Sequence, residues 1–445
     1  MIRRVLVANR GEIAVRIIDT CAKLGIETVL AASDADLRAV PARLADRVVR
    51  IGPAPSAQSY LNAGAIVAAA VDTKCDAIHP GYGFLSESIV LARAARMSGI
   101  VFIGPTEAQL AGVGDKLRAR ELAVAAGLPV VPGGAARTIE EAEEIVARIG
   151  CPILIKAVGG GGGRGMKLLL DPEAARGTIA LAAAEAEAAF ADGRVYLERF
   201  VARGRHVEVQ LMGDGETIIH LGDRDCSIQR RYQKLVEEAP APDLDAALRT
   251  RLHAAAVAFG QALAYRGLGT VEFLVDAERG EFYFLEMNAR IQVEHPVTEA
   301  ITGLDLVAEQ IAIADGQPVR LAQGDVAFAG HAIEFRINAE DCLRDFLPSP
   351  GTISRAVFPA GDGIRVDTHA ETGSAIPPFY DSLVAKIVVH GKDRAEALAR
   401  AGRALADCRI EGIATNLDMH RALLADAEFH RGGVDTAYFP RFWRT

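Results

Sequence analysis

The chain has 445 residues, half of them hydrophobic and 24% of them charged. That length predicts about three domains, and the composition excludes a disordered chain. Lys and Arg number 49 against 58 Asp and Glu, which gives a formal net charge of −9. Non-specific binding to nucleic acid or to an anionic membrane needs a basic surface, so we expect neither.

The six cysteines are widely spaced, without a C-x-x-C motif or a zinc-type pairing with histidine. This pattern predicts free thiols in a reduced, cytoplasmic setting. The apolar stretch near the N-terminus is only a few residues long. It is too short for a signal-peptide core or a membrane span, and we expect neither.

Short apolar runs alternate with amphipathic helical patterns from Arg4 to about Gly114. Strands separated by helices predict a parallel sheet with crossover helices, and therefore an α/β unit. A second unit begins near Lys116, with predicted strands at 152–158, 166–170, 194–200, 206–212, 217–222, 270–275 and 281–288. A third unit, predicted to be α+β, begins near Arg320 and has strands at 331–337, 364–368 and 383–389 and a helix at 394–407.

Five consecutive glycines, 159–163, separate two predicted strands. They are costly in an ordinary turn and suit a loop whose N–H groups approach an anion. A strand follows them rather than a helix, which excludes a dinucleotide fingerprint, and Met166 after Gly165 excludes a P-loop. The pattern predicts a flap over nucleotide phosphates, with Lys156 at the end of the first strand; a hairpin without a ligand is the alternative.

Polar and apolar residues alternate strictly from 282 to 295. On a strand, this period places the polar residues on one face: Glu286, Asn288, Arg290, Gln292 and Glu294. An ordinary edge strand would show the same alternation. However, a hairpin centred on Arg279 sets Glu272 directly opposite Glu286, and opposed like charges are destabilising unless something neutralises them.

Three kinds of chemistry are predicted for this face. Glu272, Glu286 and Asn288 offer the hard oxygen ligands that Mg²⁺ prefers. Arg290 and Gln292 can hold a small planar anion by fork-like hydrogen bonding, and Glu294 is then placed to act as a base.

Other polar residues allow simpler interpretations. The basic run at 224–240, with Arg224, Arg230, Arg231 and Lys234 followed by Glu237 and Glu238, predicts either a solvated loop or a surface salt-bridge network. Arg336 on the strand at 331–337 is most simply an ion-pair partner. His79 and His206 are predicted to be hydrogen-bonding residues, because neither has a second histidine at metal-ligand spacing.

Seven segments follow one another in order between residue 3 and about residue 440: VANRGEIAVRI, IHPGYGFLSES, GDK, IKAVGGGGGRGM, RDCSIQRRYQK, FLEMNARIQVEHPVTE and FRINAED. Together they closely resemble the biotin carboxylase family of ATP-grasp enzymes. The resemblance implies a doubly wound N-terminal domain at 1–114, an ATP-grasp core at 115–318 with a mobile glycine-rich lid at about 130–200, and an α+β C-terminal domain at 319–445.

The resemblance also implies roles for individual residues. The implied ATP contacts are Lys116, Lys156, Gly162, Gly163, the hinge stretch from Glu198 to Val201, His206, Gln229 and Tyr232. The implied Mg²⁺ ligands are Glu272, Glu286 and Asn288, and the implied bicarbonate site consists of Lys234, Arg290, Gln292 and the Val293 backbone. Glu294 is the implied general base, Arg336 the implied group that stabilises the biotin enolate, and Tyr82 an implied neighbour of the biotin ring. The implied catalytic residues are Glu294, Arg336, Lys234 and Arg290.

The implied activity is ATP- and bicarbonate-dependent carboxylation of biotin through carboxyphosphate, giving ADP, phosphate and carboxybiotin. Mg²⁺ is the expected metal, with Mn²⁺ as a substitute. The segments leave no room for a carrier or carboxyltransferase region, so we expect a homodimeric subunit that acts with a separate biotin carboxyl carrier protein and a carboxyltransferase, as in the acetyl-CoA carboxylase of fatty acid biosynthesis. The alternatives are another ATP-grasp carboxylate ligase and a non-catalytic nucleotide-binding regulator.

Two residues depart from the family pattern. Tyr232 stands where histidine or asparagine is usual, although a phenol can still donate one hydrogen bond. Val158 stands where serine or alanine is usual, before the glycines.

Overall fold

The apolar runs at the start of the chain form a parallel sheet, as their spacing predicts. The computed structural model describes residues 1–158, 166–190 and 192–443. Its first unit consists of β1 (Arg4–Val7), α1 (Gly11–Leu24), β2 (Glu27–Ser33), α2 (Val40–Leu44), β3 (Arg47–Gly52), α3 (Ala63–Asp72), β4 (Ala77–His79), α4 (Ile89–Met97), β5 (Val101–Phe102) and α5 (Glu107–Gly114). The strands lie in the order β3-β2-β1-β4-β5, and neighbouring strands are parallel.

This first sheet is buried on both faces. Val5 and Val7 of β1 belong to one apolar cluster, which includes Ile13 of α1. Leu6, which points to the opposite face, belongs to a second cluster with Ile66 of α3. Helices therefore cover both faces of the sheet, and the predicted doubly wound arrangement is confirmed.

The segment that carries the glycine run folds around a small antiparallel sheet. Its elements are α6 (Lys116–Ala125), β6 (Gly133–Ala136), α7 (Ile139–Ile149), β7 (Ile153–Ala157), β8 (Met166–Leu169), α8 (Ala175–Phe190) and β9 (Val195–Arg199). The strand order is β6-β9-β7-β8, and β7 and β8 flank the glycines as predicted. The predicted flap at 159–165, with Gly162 and Gly163, lies outside the described residues and stays a prediction.

An antiparallel sheet of eight strands dominates the rest of the chain. Its first part is built from β10 (Gly204–Asp214), β11 (Ile218–Arg230), β12 (Gln233–Ala239), α9 (Ala246–Ala262), β13 (Arg266–Asp276), β14 (Glu281–Asn288), α10 (His295–Thr302) and α11 (Leu306–Ala314). The predicted strand at 217–222 was too short, because β11 continues to Arg230 and pairs with β12. The basic run at 224–240 is thus a hairpin rather than a solvated loop.

The C-terminal part extends this sheet. It contains β15 (His331–Asn338), β16 (Glu340–Asp341), β17 (Leu347–Pro348), β18 (Gly351–Thr352), β19 (Arg355–Val357), β20 (Ile364–Thr368), β21 (Ala375–Ile376), β22 (Leu383–Gly391), α12 (Arg394–Asp407), β23 (Arg409–Glu411), α13 (Leu417–Leu423), α14 (Ala427–Arg431) and α15 (Tyr438–Phe442). The order of the large sheet is β14-β13-β10-β11-β12-β15-β22-β20. Its C-terminal strands and α12 match the predicted elements, and β12 joins the two parts through pairs such as Val236 with Phe335.

The helices in the described ranges include none that is both long and apolar enough to cross a membrane.

Candidate active site

The Lys234 ammonium lies at the centre of a cluster of carboxylates on the large sheet. Its Nζ is 2.6 Å from Glu208 Oε2, 3.0 Å from Glu272 Oε1 and 2.6 Å from Glu294 Oε1. Although burial disfavours the charged form, the surrounding anionic groups raise the pKa of Lys234 well above its usual value. The side chain therefore stays cationic and holds together carboxylates from β10, β13 and the loop before α10.

The predicted opposition of Glu272 and Glu286 is confirmed, since the two residues are register partners across β13 and β14. A bulge between Glu272 and Phe273 changes the register by one residue. The predicted pairing about Arg279 therefore holds from Thr270 to Glu272 but not for the residues between Phe273 and the turn. Glu272 is already neutralised, by Lys234 and by His206, whose Nε2 is 2.8 Å from Glu272 Oε2.

Glu286 differs from Glu272 in its surroundings. Its side chain is exposed at its tip, yet partial burial of the carboxyl and the nearby Glu272 raise its pKa. Burial would raise the pKa of Glu272 also, but Lys234 and His206 hold it well below the usual value. The pair thus contains one carboxylate held in ion pairs with Lys234 and His206 and one whose pKa burial and Glu272 raise more than Lys116, His206 and Lys234 lower it.

The prediction of a strand running through Glu294 is wrong beyond Asn288, where β14 ends. The backbone N–H of Ala289 donates to Glu87 rather than to a strand, at 2.9 Å, and α10 begins at His295 with Glu294 as its N-cap residue. A loop that keeps a period of two is indistinguishable from a strand by pattern alone. The polar side chains still converge, because Asn288 and Gln292 both donate to Glu272 Oε1 and Glu294 shares Lys234 with Glu272.

Arg290 and Gln292 lie on this loop and are held from both sides. Arg290 donates from Nη2 to Asn288 Oδ1 at 2.8 Å, and its Nε is 3.0 Å from Glu87 Oε2. The Gln292 amide donates from Nε2 to Glu272 Oε1 at 2.9 Å. These contacts fix two planar, fork-like groups, of which Gln292 shares the acceptor Glu272 Oε1 with Lys234.

Glu294 lies between two cations. Its Oε1 is 2.6 Å from Lys234 Nζ and its Oε2 is 2.9 Å from Arg336 Nη2. Burial and the carboxylate of Glu208 oppose ionisation, but Lys234 and Arg336 lower the pKa of Glu294 below its usual value. Glu294 is therefore ionised at neutral pH and able to accept a proton. The predicted ion-pair role of Arg336 is confirmed by its contact with Glu294.

Arg224 was predicted in a solvated loop or a surface network, and both interpretations are wrong. Its side chain is completely buried. The guanidinium donates to Glu208 (2.6 Å), Gln210 (2.8 Å), Thr298 (2.9 Å), Thr270 (3.1 Å) and Gln292 (2.6 Å). Five acceptors match its five N–H groups, which is how the sheet tolerates a buried charge. Arg230 and Arg231 do pair at the surface, both with Asp345.

Several residues in the site were missed from the sequence. Glu208 is one, although the alternation of His206, Glu208 and Gln210 along β10 was a usable signal. Glu12 and Lys386 are two others, from opposite ends of the chain. The fully buried Lys386 contacts Glu12 Oε2 at 3.1 Å and donates to the Val293 carbonyl at 2.9 Å.

The residues predicted near ATP and biotin fall in several places. Lys156 Nζ is 2.5 Å from Glu198 Oε1 across the small sheet, and Val201 follows β9. The predicted hydrogen-bonding role of His206 is confirmed, because its Nδ1 is 2.7 Å from Gln229 Nε2. Tyr82 donates its hydroxyl hydrogen to Glu12.

Lys116 and Tyr232 lie at the ends of elements. Lys116 is the first residue of α6, whose N-cap is Asp115. Tyr232 lies in the turn between β11 and β12, at a φ of 66°. Its side chain is 62% exposed, and its hydroxyl lies 4.0 Å from the Met166 sulfur, next to the glycine run.

Family models match three consecutive stretches of the chain. They are the biotin carboxylase N-terminal domain at 1–110, the ATP-binding domain of the carbamoyl-phosphate synthase L chain at 115–322, and the biotin carboxylase C-terminal domain at 334–441. The biotin carboxylase of Nostoc sp. is 49% identical over 438 residues, which cover 98% of each chain. The chain belongs to the biotin carboxylase family. As a member of that family, it is an ATP-grasp ligase.

Other biotin carboxylases match over the same length. The enzyme of Pseudomonas aeruginosa is 48% identical over 445 residues, 99% of this chain and 98% of that one. A biotin carboxylase of Campylobacter jejuni, in a β-γ-ATP complex, has a TM-score of 0.94 at 42% identity, with 99% of each chain covered. The biotin carboxylase domain dimer of the Hydrogenobacter thermophilus 2-oxoglutarate carboxylase, in complex with MgADP, ADP and bicarbonate, has a TM-score of 0.93 at 43% identity, covering 100% of this chain and 99% of that one.

Proposed function

We propose that this chain carboxylates biotin, held on a separate carrier protein, with ATP and bicarbonate as co-substrates. The observation that carries the proposal is the position of Glu294, an ionised carboxylate between Lys234 and Arg336. A base between two cations can take a proton from a small anion on one side while a second anion is stabilised on the other. Carboxylation of biotin through carboxyphosphate needs these two operations in sequence.

The first operation is the activation of bicarbonate. Lys234, Arg290, Gln292 and the Val293 backbone would hold the anion, and Arg224 would orient Gln292 through their 2.6 Å hydrogen bond. Glu294 removes the proton, which makes bicarbonate a better nucleophile toward the γ-phosphate of ATP. The products of this step are ADP and carboxyphosphate.

The ATP phosphates need cationic groups, because charge spreads over the transferring phosphoryl group. Lys116 and Lys156 would supply the positive charge, and the backbone N–H groups of the lid glycines Gly162 and Gly163 would add hydrogen bonds. Glu198 to Val201, His206, Gln229 and Tyr232 would surround the rest of the nucleotide. Carboxyphosphate hydrolyses readily, and a closing lid at about 130–200 would exclude water from it.

The magnesium ligands would be Glu272, Glu286 and Asn288. The donor set fits, because two carboxylates and an amide oxygen are hard oxygen ligands, and the exposed Glu286 lies directly opposite Glu272 in the hairpin. When bound, Mg²⁺, or Mn²⁺ in its place, would neutralise phosphate charge. Two other groups of potential ligands, His206 with Glu208 and Glu272, and Glu208 with Cys226 and Glu294, lie around the Lys234 ammonium and fit a metal less well.

The second operation is the carboxylation of biotin. Carboxyphosphate breaks down to CO₂ and phosphate, and the phosphate takes the ureido proton. Arg336 would stabilise the enolate that develops, with Tyr82 near the ring. The buried Lys386 would support both substrate sites. It contacts Glu12, which binds the Tyr82 hydroxyl, and it donates to the carbonyl of Val293.

We further propose the setting of this reaction. The chain acts as a cytoplasmic homodimer with a biotin carboxyl carrier protein and a carboxyltransferase, as part of acetyl-CoA carboxylase or a related carboxylase, and its domains are 1–114, 115–318 and 319–445. The domain dimer of the 2-oxoglutarate carboxylase supports the dimer. Six free cysteines support a reducing compartment.

The test is incorporation of labelled bicarbonate into biotin. The full chain is incubated with MgATP, labelled bicarbonate and either the biotinylated carrier or free biotin. We expect label in biotin that depends on both ATP and bicarbonate. ATP cleavage that ignores bicarbonate would indicate a different ATP-grasp ligase, and ATP binding without cleavage would indicate a regulator; either result would contradict the proposal.

A further inference from the structure

Two buried glutamates beside Arg336 are not used by the reaction described above. Glu237 on β12 and Glu334 on β15 are register partners in the antiparallel sheet, and both side chains are completely buried. Directly opposite residues of such a pair have Cβ atoms about 5 Å apart on the same face. Two ionised carboxylates at that distance, away from water, would repel strongly.

The two carboxyls have different surroundings. Glu237 Oε1 lies 2.5 Å from Arg336 Nη2. Within the described part of the chain, neither carboxyl accepts a hydrogen bond of good geometry, but Glu237 has this ion pair with Arg336 and Glu334 has none. A buried carboxylate without a donor is far less stable than a neutral carboxyl, which needs only one acceptor for its own O–H. The opposed Glu237 carboxylate is such an acceptor.

We propose that Glu237 and Glu334 share one proton, carried by Glu334, and that the pair holds the Arg336 guanidinium in place for the biotin step. Glu334 donates its hydrogen to Glu237, which stays anionic and binds Arg336. This inference rests on the proposed function. It makes Glu237 and Glu334 positioning residues, since neither would touch biotin.

The charged groups around Glu237 and Glu334 are consistent with one of the two carboxyls being protonated. The groups that face the pair come from each neighbouring element: Arg336 on β15, Lys234 on β12, Lys386 on β22, Glu294 before α10 and the Cys226 thiol on β11. Burial raises the pKa of Glu334 well above its usual value and that of Glu237 to about 7, despite Arg336 and Lys386. Glu237 is the more easily ionised member because Arg336 Nη2 lies 2.5 Å from it, whereas Lys386 acts on Glu334 without an ion pair between these two described residues.

The arrangement matters when Glu294 changes charge. Before the reaction, Arg336 Nη2 is shared between Glu237 at 2.5 Å and Glu294 at 2.9 Å. Once Glu294 has taken the bicarbonate proton, its attraction for Arg336 falls. Glu237 then retains the guanidinium at the moment when the enolate develops.

The first test separates the biotin step from the bicarbonate step. Glu237→Gln keeps the shape and removes the charge that binds Arg336. We expect kcat/KM for biotin to fall by about tenfold to a hundredfold, the effect of losing one charge-assisted contact, while bicarbonate-dependent ATP cleavage without biotin changes by less than about threefold. The control is Glu238→Gln, which alters the next residue, a buried carboxylate that pairs instead with His331 at 2.8 Å and Arg394 at 2.7 Å.

Equal losses in both steps, or a Glu237→Gln variant that behaves like Glu238→Gln, would overturn the positioning role. Failure of the proposed function is distinguishable, because the wild-type chain would then show no ATP-dependent biotin carboxylation at all.

The second test addresses the shared proton and needs no activity. A folded-state pKa above the unfolded value means that stability is lost as pH rises. Glu334→Gln mimics the protonated carboxyl and removes this dependence. We expect its melting temperature to rise relative to wild type between about pH 5 and pH 8. A difference that is independent of pH, or a variant that weakens as pH rises, would mean that Glu334 is ionised and would overturn the pairing.

Discussion

Replacing Arg224 with methionine removes the cation at the centre of the large sheet. The change deletes five hydrogen bonds, of 2.6 to 3.1 Å, and leaves Glu208 buried with one cationic partner fewer. Removing one partner of a buried ion pair destabilises a protein by about 3–5 kcal/mol. We expect the free energy of unfolding of Arg224→Met to fall by that amount, and the KM for bicarbonate to rise because Gln292 loses its orienting donor.

Urea denaturation followed by circular dichroism measures the free energy, and steady-state kinetics measure the KM. The control is Arg176→Met, which removes an arginine with two carboxylate partners, Glu140 and Glu143, at 63% exposure. Solvent screens that site, so we expect little change in stability. If Arg224→Met destabilises the chain no more than Arg176→Met, the buried network does not hold the sheet as described.

Three further predictions concern other parts of the molecule. Burial opposes ionisation of Asp223, but a hydrogen bond from His253 lowers its pKa. Asp223→Asn should therefore lower the melting temperature at neutral pH, by an amount that shrinks below about pH 4. A difference in melting temperature from wild type that stays constant with pH would refute this. Of the six free cysteines, only Cys151 is not buried, and mass spectrometry should find at most this one labelled by a thiol reagent in the native protein, whereas labelling of two or more would contradict the burial. Tyr232→Phe should change the KM for ATP by less than about twofold, because the side chain is 62% exposed; a tenfold rise would show that its hydroxyl binds the nucleotide.

The pairing of Glu272 with Glu286 could be predicted because a short turn determines hairpin register. The end of β14 at Asn288 could not, because it depends on Glu87, which binds the Ala289 N–H from 202 residues away. Local alternation contains no information about that contact.

The burial of Arg224 was likewise inaccessible to sequence patterns. A run of basic residues usually indicates a solvated surface. Arg224 is buried because partners from β10, β13, α10 and the loop before α10 supply an acceptor for each N–H group. The same holds for Lys386, whose partners Glu12 and Val293 lie far from it in the chain.

In the proposed reaction Glu294, held between Lys234 and Arg336, removes the bicarbonate proton. The most direct measurement is the rate of bicarbonate-dependent ATP cleavage by Glu294→Gln, with ATP affinity measured in parallel. We expect the rate to fall by about 10²–10⁴-fold, the usual contribution of a general base, with ATP affinity within about twofold of wild type, because Glu294 does not contact the nucleotide in the proposed arrangement. A variant that keeps more than about one tenth of the wild-type rate would contradict the account.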